Sequence, residues 1–208
     1  MYSKIQYISQ GVTAIHQLNA IKSALDAGCN WVQLRYKNRP EHEVLELAQQ
    51  VKKATEGYNC TYIINDHLHI AKAVDADGIH LGLEDMPVME AREILGSTKI
   101  IGGTANTLAH VMQRYKEQCN YIGLGPYRFT ATKEKLSPVL GLEGYAAIMK
   151  ELKGLNIQTP VYAIGGIVQD DIPPILHTGI YGVALSGLIT NHSHKKELLT
   201  NLNILCSH

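Results

Sequence analysis

Three short apolar runs of this chain end in residues that do chemistry instead of in ordinary turn residues. Gln33, Arg35 and Lys37 close one, Asn65 and Asp66 another, Gly165 and Gly166 a third. Because Gln33, Arg35 and Lys37 alternate with Leu34 and Tyr36, an extended chain projects all three to one side. A planar arginine fork beside a compact lysine charge makes a cationic comb, suited to a pyrophosphate or to two separated phosphates. The plainer reading is a solvated strand end, but the inward face of a strand rarely holds two cations without a reason.

Asp85 follows the next apolar run, in His80-Leu81-Gly82-Leu83-Glu84-Asp85. On adjacent parallel strands Asp66 and Asp85 come close enough to share a divalent ion. Magnesium takes a few carboxylates and leaves its other positions to water and substrate phosphate, which suits two acids beside a cationic comb. Each acid has a rival use as a helix cap, Asp66 before Leu68 and Asp85 before Pro87. Capping does not explain why both stand at neighbouring strand ends.

A polar segment, Gly125-Pro126-Tyr127-Arg128-Phe129-Thr130-Ala131-Thr132-Lys133, runs on past Pro138 to Gly144. Long loops in compact folds are commonly functional, and Thr130, Thr132 and Lys133 would serve either a lid or an ordinary flexible loop. Most of the 10 histidines fall on helix surfaces, loops or the tail, without zinc spacing to cysteine. His80 is the exception, since alternation points it inward, as a general base or equally as a satisfied core histidine. The chain has no Gly-x-Ser-x-Gly elbow; Ser186 stands at a glycine-flanked strand end, beside Gly187, that suits anion binding.

These residues need elements to hold them. Apolar runs predict strands at Ile5–Ser9, Trp31–Tyr36, Tyr62–Asn65, Gly78–Leu81, Lys99–Gly102, Tyr121–Gly125, Pro160–Ile164 and Gly182–Ser186. Helical spacing predicts helices at Ala14–Ala27, Pro40–Thr55, Leu68–Val74, Met86–Leu95, Leu108–Gln118, Leu142–Leu152, Asp170–His177 and Lys195–Leu205. In Pro40–Thr55 the packed stripe is read as Val44, Leu45, Ala48, Val51 and Lys52. Strict alternation favours a parallel sheet, and eight βα units at this length predict an α/β fold, one (β/α)8 TIM barrel domain over residues 1–208. An open doubly wound sheet would carry a glycine fingerprint after its first strand, where only Ser9-Gln10-Gly11 stands. The glycines gather instead on the last two strands, at Gly165-Gly166, Gly182 and Gly187, where such barrels commonly bind phosphate with help from a short helix.

The 19 basic and 19 acidic residues cancel, which argues against nucleic acid or an anionic membrane as partner and for small phosphorylated molecules. Cys29, Cys60, Cys119 and Cys206 lie far apart, as reduced residues of an intracellular protein do. The start, Met1-Tyr2-Ser3-Lys4, has no apolar signal region, and no run approaches the ~18 residues of a membrane span. A cytoplasmic location is therefore expected. The assembly is open, a homodimer included.

Taken in order, Gln33-Leu34-Arg35-Tyr36-Lys37, Asn65-Asp66, Ala76-Asp77-Gly78-Ile79-His80-Leu81-Gly82, Tyr121-Ile122-Gly123-Leu124-Gly125-Pro126, Thr130-Ala131-Thr132-Lys133 and Ala163-Ile164-Gly165-Gly166-Ile167 resemble the thiamine-phosphate synthase family over nearly the whole chain. That family joins a hydroxymethylpyrimidine diphosphate to a hydroxyethylthiazole phosphate with magnesium and releases pyrophosphate. The resemblance implies Arg35, Lys37, Asn65 and Lys133 on the pyrophosphate, with Arg35, Lys37 and Lys133 as the catalytic cations. It implies Asp66 and Asp85 on the metal, Gln33 at the pyrimidine, Gly166, Ser186 and Gly187 near the thiazole phosphate, and Thr130 and Thr132 over the reacting centre. Four positions depart from the family pattern. Leu83 replaces a glutamine, Asn106 replaces a histidine, and Ser9-Gln10 lacks an acid, while Thr104 keeps the hydroxyl of a serine and is expected at the substrate. Two alternatives stand beside the synthase: an isomerase of the thiazole tautomerase branch, needing one phosphate and no metal but lacking at Asn106 the base expected there, and a non-catalytic phosphate-ligand-binding barrel, to which Leu83 and Asn106 point.

Overall fold

The computed structural model describes residues 2–129 and 138–207. Eight parallel strands close on themselves in chain order: β1 (Ile5–Ile8), β2 (Trp31–Leu34), β3 (Thr61–Asn65), β4 (Gly78–Leu81), β5 (Ile100–Ala105), β6 (Tyr121–Leu124), β7 (Val161–Ile164) and β8 (Gly182–Leu185), which pairs back onto β1. Outside run α1 (Ala14–Asp26), α2 (Glu41–Thr55), α3 (Leu68–Ala73), α4 (Val88–Leu95), α5 (Leu108–Lys116), α6 (Gly141–Gly154), α7 (Ile172–His177), α8 (Gly187–Thr190) and α9 (Lys195–Cys206). The fold is a (β/α)8 barrel, as the alternation predicts, with the short helix α8 as an addition after β8.

Strand periodicity sorts side chains between two cores. Val32, Leu34 and Tyr36 pack in the layer between barrel and helices, whereas Trp31 belongs to the barrel interior. On α2 the buried stripe is Val44, Leu47, Ala48, Val51 and Thr55, so Leu47 takes the place read for Leu45. Lys52 turns outward from that stripe and donates to the Asp75 carbonyl at 2.8 Å. Thr13 and Thr107 cap α1 and α5 by accepting from His16 N and His110 N at 3.3 and 3.2 Å, each such cap contributing about 1 kcal/mol.

Two strands end elsewhere than expected, and the barrel floor explains one of them. Trp31, Tyr121 and Tyr162 meet edge to face with centroids 5.0, 5.3 and 5.7 Å apart, a geometry worth about 0.5–1.5 kcal/mol per pair beyond the burial itself. Gly102 is the register partner of Tyr121, and a Cβ on Gly102 would lie 2.1 Å from the tyrosine Cζ. Gly102-Gly103 therefore does not end a strand but leaves room inside one, and β5 runs on through Thr104 to Ala105. In contrast β2 stops at Leu34 instead of Tyr36, because the polar backbone of Arg35 is taken up by side chains described below. The expected helix over Asp170–His177 begins only at Ile172, after a 3-10 turn at Gln169–Asp171, with the prolines after Ile172 in the first turn where missing N–H donors cost least.

Candidate active site

All the strands of a parallel barrel point their carboxyl ends the same way, so residues at those ends line one mouth. Past Leu34 the chain leaves the ladder: Arg35 N donates to Ser9 Oγ at 3.0 Å, and the Arg35 carbonyl accepts from Gln17 Nε2 at 3.0 Å. Both clamps come from the neighbouring β1–α1 unit, and Gln17 is fully buried on α1. Two residues on, Lys37 Nζ lies 2.9 Å from Asp66 Oδ2. Arg35 and Lys37 thus stand just beyond the strand instead of in it. Within β2, Gln33 donates to Asn65 Oδ1 at 2.8 Å, and its own Oε1 is buried without a partner among the described residues.

Asp66 is a single left-handed residue, φ 64°, between β3 and α3, a conformation aspartate tolerates better than most. Its carboxyl lies within hydrogen-bond reach of Asp85, whose Oδ2 also accepts from Gly82 N at 2.5 Å. Burial first, and then the Asp85 carboxyl, hold Asp66 above the usual carboxylate range, against the opposite pull of Lys37. Neither acid caps a helix, since α3 and α4 start after His67 and Pro87 without side-chain caps. Among the described residues no group of three or more His, Cys, Asp or Glu could hold a metal ion. Two carboxyls that crowd one another with a single lysine partner among the described residues nonetheless form a donor set that a hard cation satisfies, with water and phosphate filling its other positions.

The turn carrying Asp85 is braced from α5. Arg114 donates to the Gly82 carbonyl at 2.7 Å and to the Thr104 carbonyl at 3.2 Å, and pairs with Glu117 at 2.8 Å. It is almost wholly buried, a charge three residues after Val111 on the packed face of α5. A charge at an apolar position of the helical repeat is its signal in the sequence; neither Arg114 nor Gln17 belongs to any of the motifs. Leu83, in the same turn, is 38% exposed.

On β4, His80 Nδ1 lies 3.1 Å from Tyr121 Oη and Nε2 lies 3.0 Å from Thr104 Oγ1. With both nitrogens engaged, and with burial and the Arg114 guanidinium pushing it down to about 3, His80 is a core histidine and not a base. Asn106 is buried and donates its Nδ2 to the Gly125 carbonyl.

Gly165 and Gly166 both take positive φ, 101° and 67°, and a Cβ on Gly165 would meet Pro126 at 2.7 Å. Arg128 spans from the sixth loop to the Gly166 carbonyl at 2.8 Å and to both Asp171 oxygens at 2.8 Å, zipping the base of that loop to the turn after β7. Ser186 Oγ donates to Gln10 Oε1 at 3.1 Å, and a Cβ on Gly187 would stand 3.6 Å from Asn191 Nδ2 and 3.7 Å from Gln10 Nε2. Two amide donors therefore flank the start of α8, one of them from the Gln10 that departs from the family pattern. Thr130, Thr132 and Lys133 lie outside the described residues. The ends of β2 to β4 thus carry cations and acids, β5 a hydroxyl, and the start of α8 is flanked by neutral donors.

Known proteins are similar to this chain in sequence and fold. A family model for thiamine monophosphate synthase matches residues 7–189. A thiamine-phosphate synthase from Flavobacterium psychrophilum is 55% identical over 203 residues, covering 98% of each chain. One from Bacteroides thetaiotaomicron is 48% identical over 185 residues, covering 89% of this chain and 88% of its own. Among solved structures, the thiamine phosphate pyrophosphorylase from Pyrococcus furiosus superposes with a TM-score of 0.83 at 29% identity, covering 98% of this chain and 95% of that one. A 3-hexulose-6-phosphate synthase at 10% identity, TM-score 0.70, shares the fold alone, covering 99% of this chain and 100% of that one.

Proposed function

The chain belongs to the thiamine monophosphate synthase family, and on that premise we propose how its residues divide the reaction. The activity is that of a thiamine-phosphate synthase: hydroxymethylpyrimidine diphosphate and hydroxyethylthiazole phosphate are joined, and pyrophosphate leaves. The C–O bond to the diphosphate breaks and a C–N bond to the thiazole nitrogen forms, so the enzyme must stabilise a departing anion and hold the nucleophile near a short-lived pyrimidine cation. No protein nucleophile is needed.

In this reading Arg35, Lys37, Asn65 and Lys133 hold the diphosphate and take up the charge it gains on leaving. Gln33 offers its unpartnered Oε1 to the amino group of the pyrimidine, and Thr104 meets the same substrate. Gly166, Ser186 and Gly187 receive the phosphate of the thiazole, while Thr130 and Thr132 cover the reacting centre. Asp66 and Asp85 would hold magnesium, which when bound neutralises charge on the pyrophosphate. The observation that carries this assignment is the contact of Lys37 with Asp66 at 2.9 Å, beside Asp85: cation and acid pair meet where a metal diphosphate needs both. The tautomerase alternative lacks a base, because the carboxamide of Asn106 stands where a histidine would take up the proton; its Nδ2 donates to the Gly125 carbonyl.

The same reading takes residues 1–208 as one domain, acting in the cytoplasm on small phosphorylated substrates without nucleic acid or membrane. No helix among the described residues is long and apolar enough to cross a membrane. Light scattering of the purified protein distinguishes a homodimer from a monomer. The deciding experiment supplies both substrates and magnesium and follows pyrophosphate and thiamine phosphate, with a chelator as control. Matched, metal-dependent release is expected; coupling that continues undiminished in chelator overturns the metal assignment.

A further inference from the structure

The interior of the barrel holds a polar chain whose buried members the reaction scheme does not use. Gln6 Nε2 donates to Tyr121 Oη at 3.1 Å, Tyr121 Oη lies 3.1 Å from His80 Nδ1, and His80 Nε2 lies 3.0 Å from Thr104 Oγ1. Gln6, Tyr121 and His80 are buried, on β1, β6 and β4, and the chain surfaces only at Thr104 on β5. Two glycines leave room for it. A Cβ on Gly102 would strike the Tyr121 ring, and one on Gly123 would stand 3.2 Å from His80 Cε1.

Counting protons along the chain fixes its direction. The Gln6 amide nitrogen can only donate, so Tyr121 Oη accepts there. If His80 Nδ1 also donated to Tyr121, the phenol hydrogen would be left in the interior with no acceptor among these contacts, at a cost of about 1–3 kcal/mol. The economical arrangement has Tyr121 donate to Nδ1, which leaves the single imidazole hydrogen on Nε2 to donate to Thr104. Thr104 Oγ1 then has its acceptor side engaged and its own hydrogen unspent.

We propose that His80 is a positioning residue, held as the neutral Nε2–H tautomer, that turns the Thr104 hydroxyl so that its hydrogen is offered to an acceptor atom of the pyrimidine diphosphate substrate. The proposal rests on the reading that Thr104 meets that substrate. Stereochemically it gives a hydroxyl on a strand one orientation in place of three, which matters for a donor that must be in place when the C–O bond breaks.

Two measurements test it. Nitrogen-15 NMR of histidine-labelled protein reads the tautomer without any activity: protonated Nε2 and unprotonated Nδ1 are expected at His80, and a protonated Nδ1 overturns the proposal. A double-mutant cycle then reads the coupling. His80→Leu and Thr104→Val should each lower kcat on the order of tenfold or more, while the double variant falls little below Thr104→Val alone. His80→Gln, which keeps one donor and one acceptor, should recover part of the loss in the Thr104 background but none in Thr104→Val. Independent, multiplying losses would make His80 merely structural and overturn its positioning role. A fully active Thr104→Val enzyme would instead overturn the reading of Thr104, and the tautomer result identifies which of the two has failed. Should His80→Leu fail to fold by circular dichroism, Tyr121→Phe takes its place in the cycle: it removes the donor to Nδ1, together with the acceptor of Gln6 Nε2 at the end of the chain away from Thr104.

Discussion

Arg35 and Asp66 show what single side chains contribute and how each is held. The Arg35 backbone is bonded on both sides, by Ser9 and Gln17, so its guanidinium starts from a fixed point. Charge-assisted hydrogen bonds to a diphosphate are worth about 1.5–3 kcal/mol each. Arg35→Ala should therefore lower kcat/KM by about 10- to 100-fold or more with an unchanged circular dichroism spectrum; steady-state kinetics at saturating thiazole phosphate make the check, and wild-type turnover would remove Arg35 from the site. Asp66 makes a pH prediction. Its folded pKa is raised by burial and by Asp85, so between the ordinary carboxylate value and the raised one the native state binds more protons than the unfolded chain, and its contribution to stability falls as pH rises through that window. Asp85→Asn removes one of the raising causes. The variant should lose less stability across the window than the parent, and magnesium should no longer raise its Tm. Thermal melts from pH 4 to 8 with and without the metal read both effects, and a Tm that still climbs with magnesium in Asp85→Asn would exclude Asp85 as a ligand.

At the scale of elements, the site depends on braces that touch no substrate. Arg114 reaches from α5 to the carbonyls of Gly82 and Thr104 and so ties the turn of Asp85 to the end of β5. Arg114→Met keeps much of the volume but leaves both carbonyls without this donor and Glu117 with Gln113 alone in place of its cationic partner, a loss expected at about 3–5 kcal/mol. Urea unfolding gives that number, and a change under about 1 kcal/mol would show that the brace is not structural. Glycine positions act the other way, by what they omit. Gly102→Ala would drive a methyl carbon into the Tyr121 ring, and overpacking of this kind costs about 1–3 kcal/mol or more. Part of the element pattern was legible beforehand, because alternation of apolar residues marks strands and helices wherever neighbours do not interfere. Where it failed, a neighbour had interfered: Ser9 and Gln17 drew Arg35 out of β2, and Tyr121 turned the breaker-like Gly102-Gly103 into strand.

The whole barrel joins these parts through its floor. Trp31 is the chain's single tryptophan and is 1% exposed, packed against tyrosines from β6 and β7. Its fluorescence should report loss of the closed barrel, so fluorescence and far-UV circular dichroism should give one coincident denaturation transition; fluorescence that changes at distinctly lower denaturant would mean the interior loosens before the helices do. The sequence by itself determined the barrel, the family, and the residue types that end its strands, because period-two and helical spacing and the order of motifs are properties of the chain alone. It also placed Asp66 and Asp85 on adjacent strands, since sequence order is spatial order in such a barrel. Only the tertiary structure decided which rival roles were real. His80 proved a bonded core residue, Asp66 and Asp85 proved to face one another instead of capping helices, and Gln10, Gln17 and Arg114 proved to support the mouth. Each of those outcomes depends on contacts between residues far apart in the chain, and a hydrogen bond or a shared void is set by where two strands or a strand and a helix come together in space.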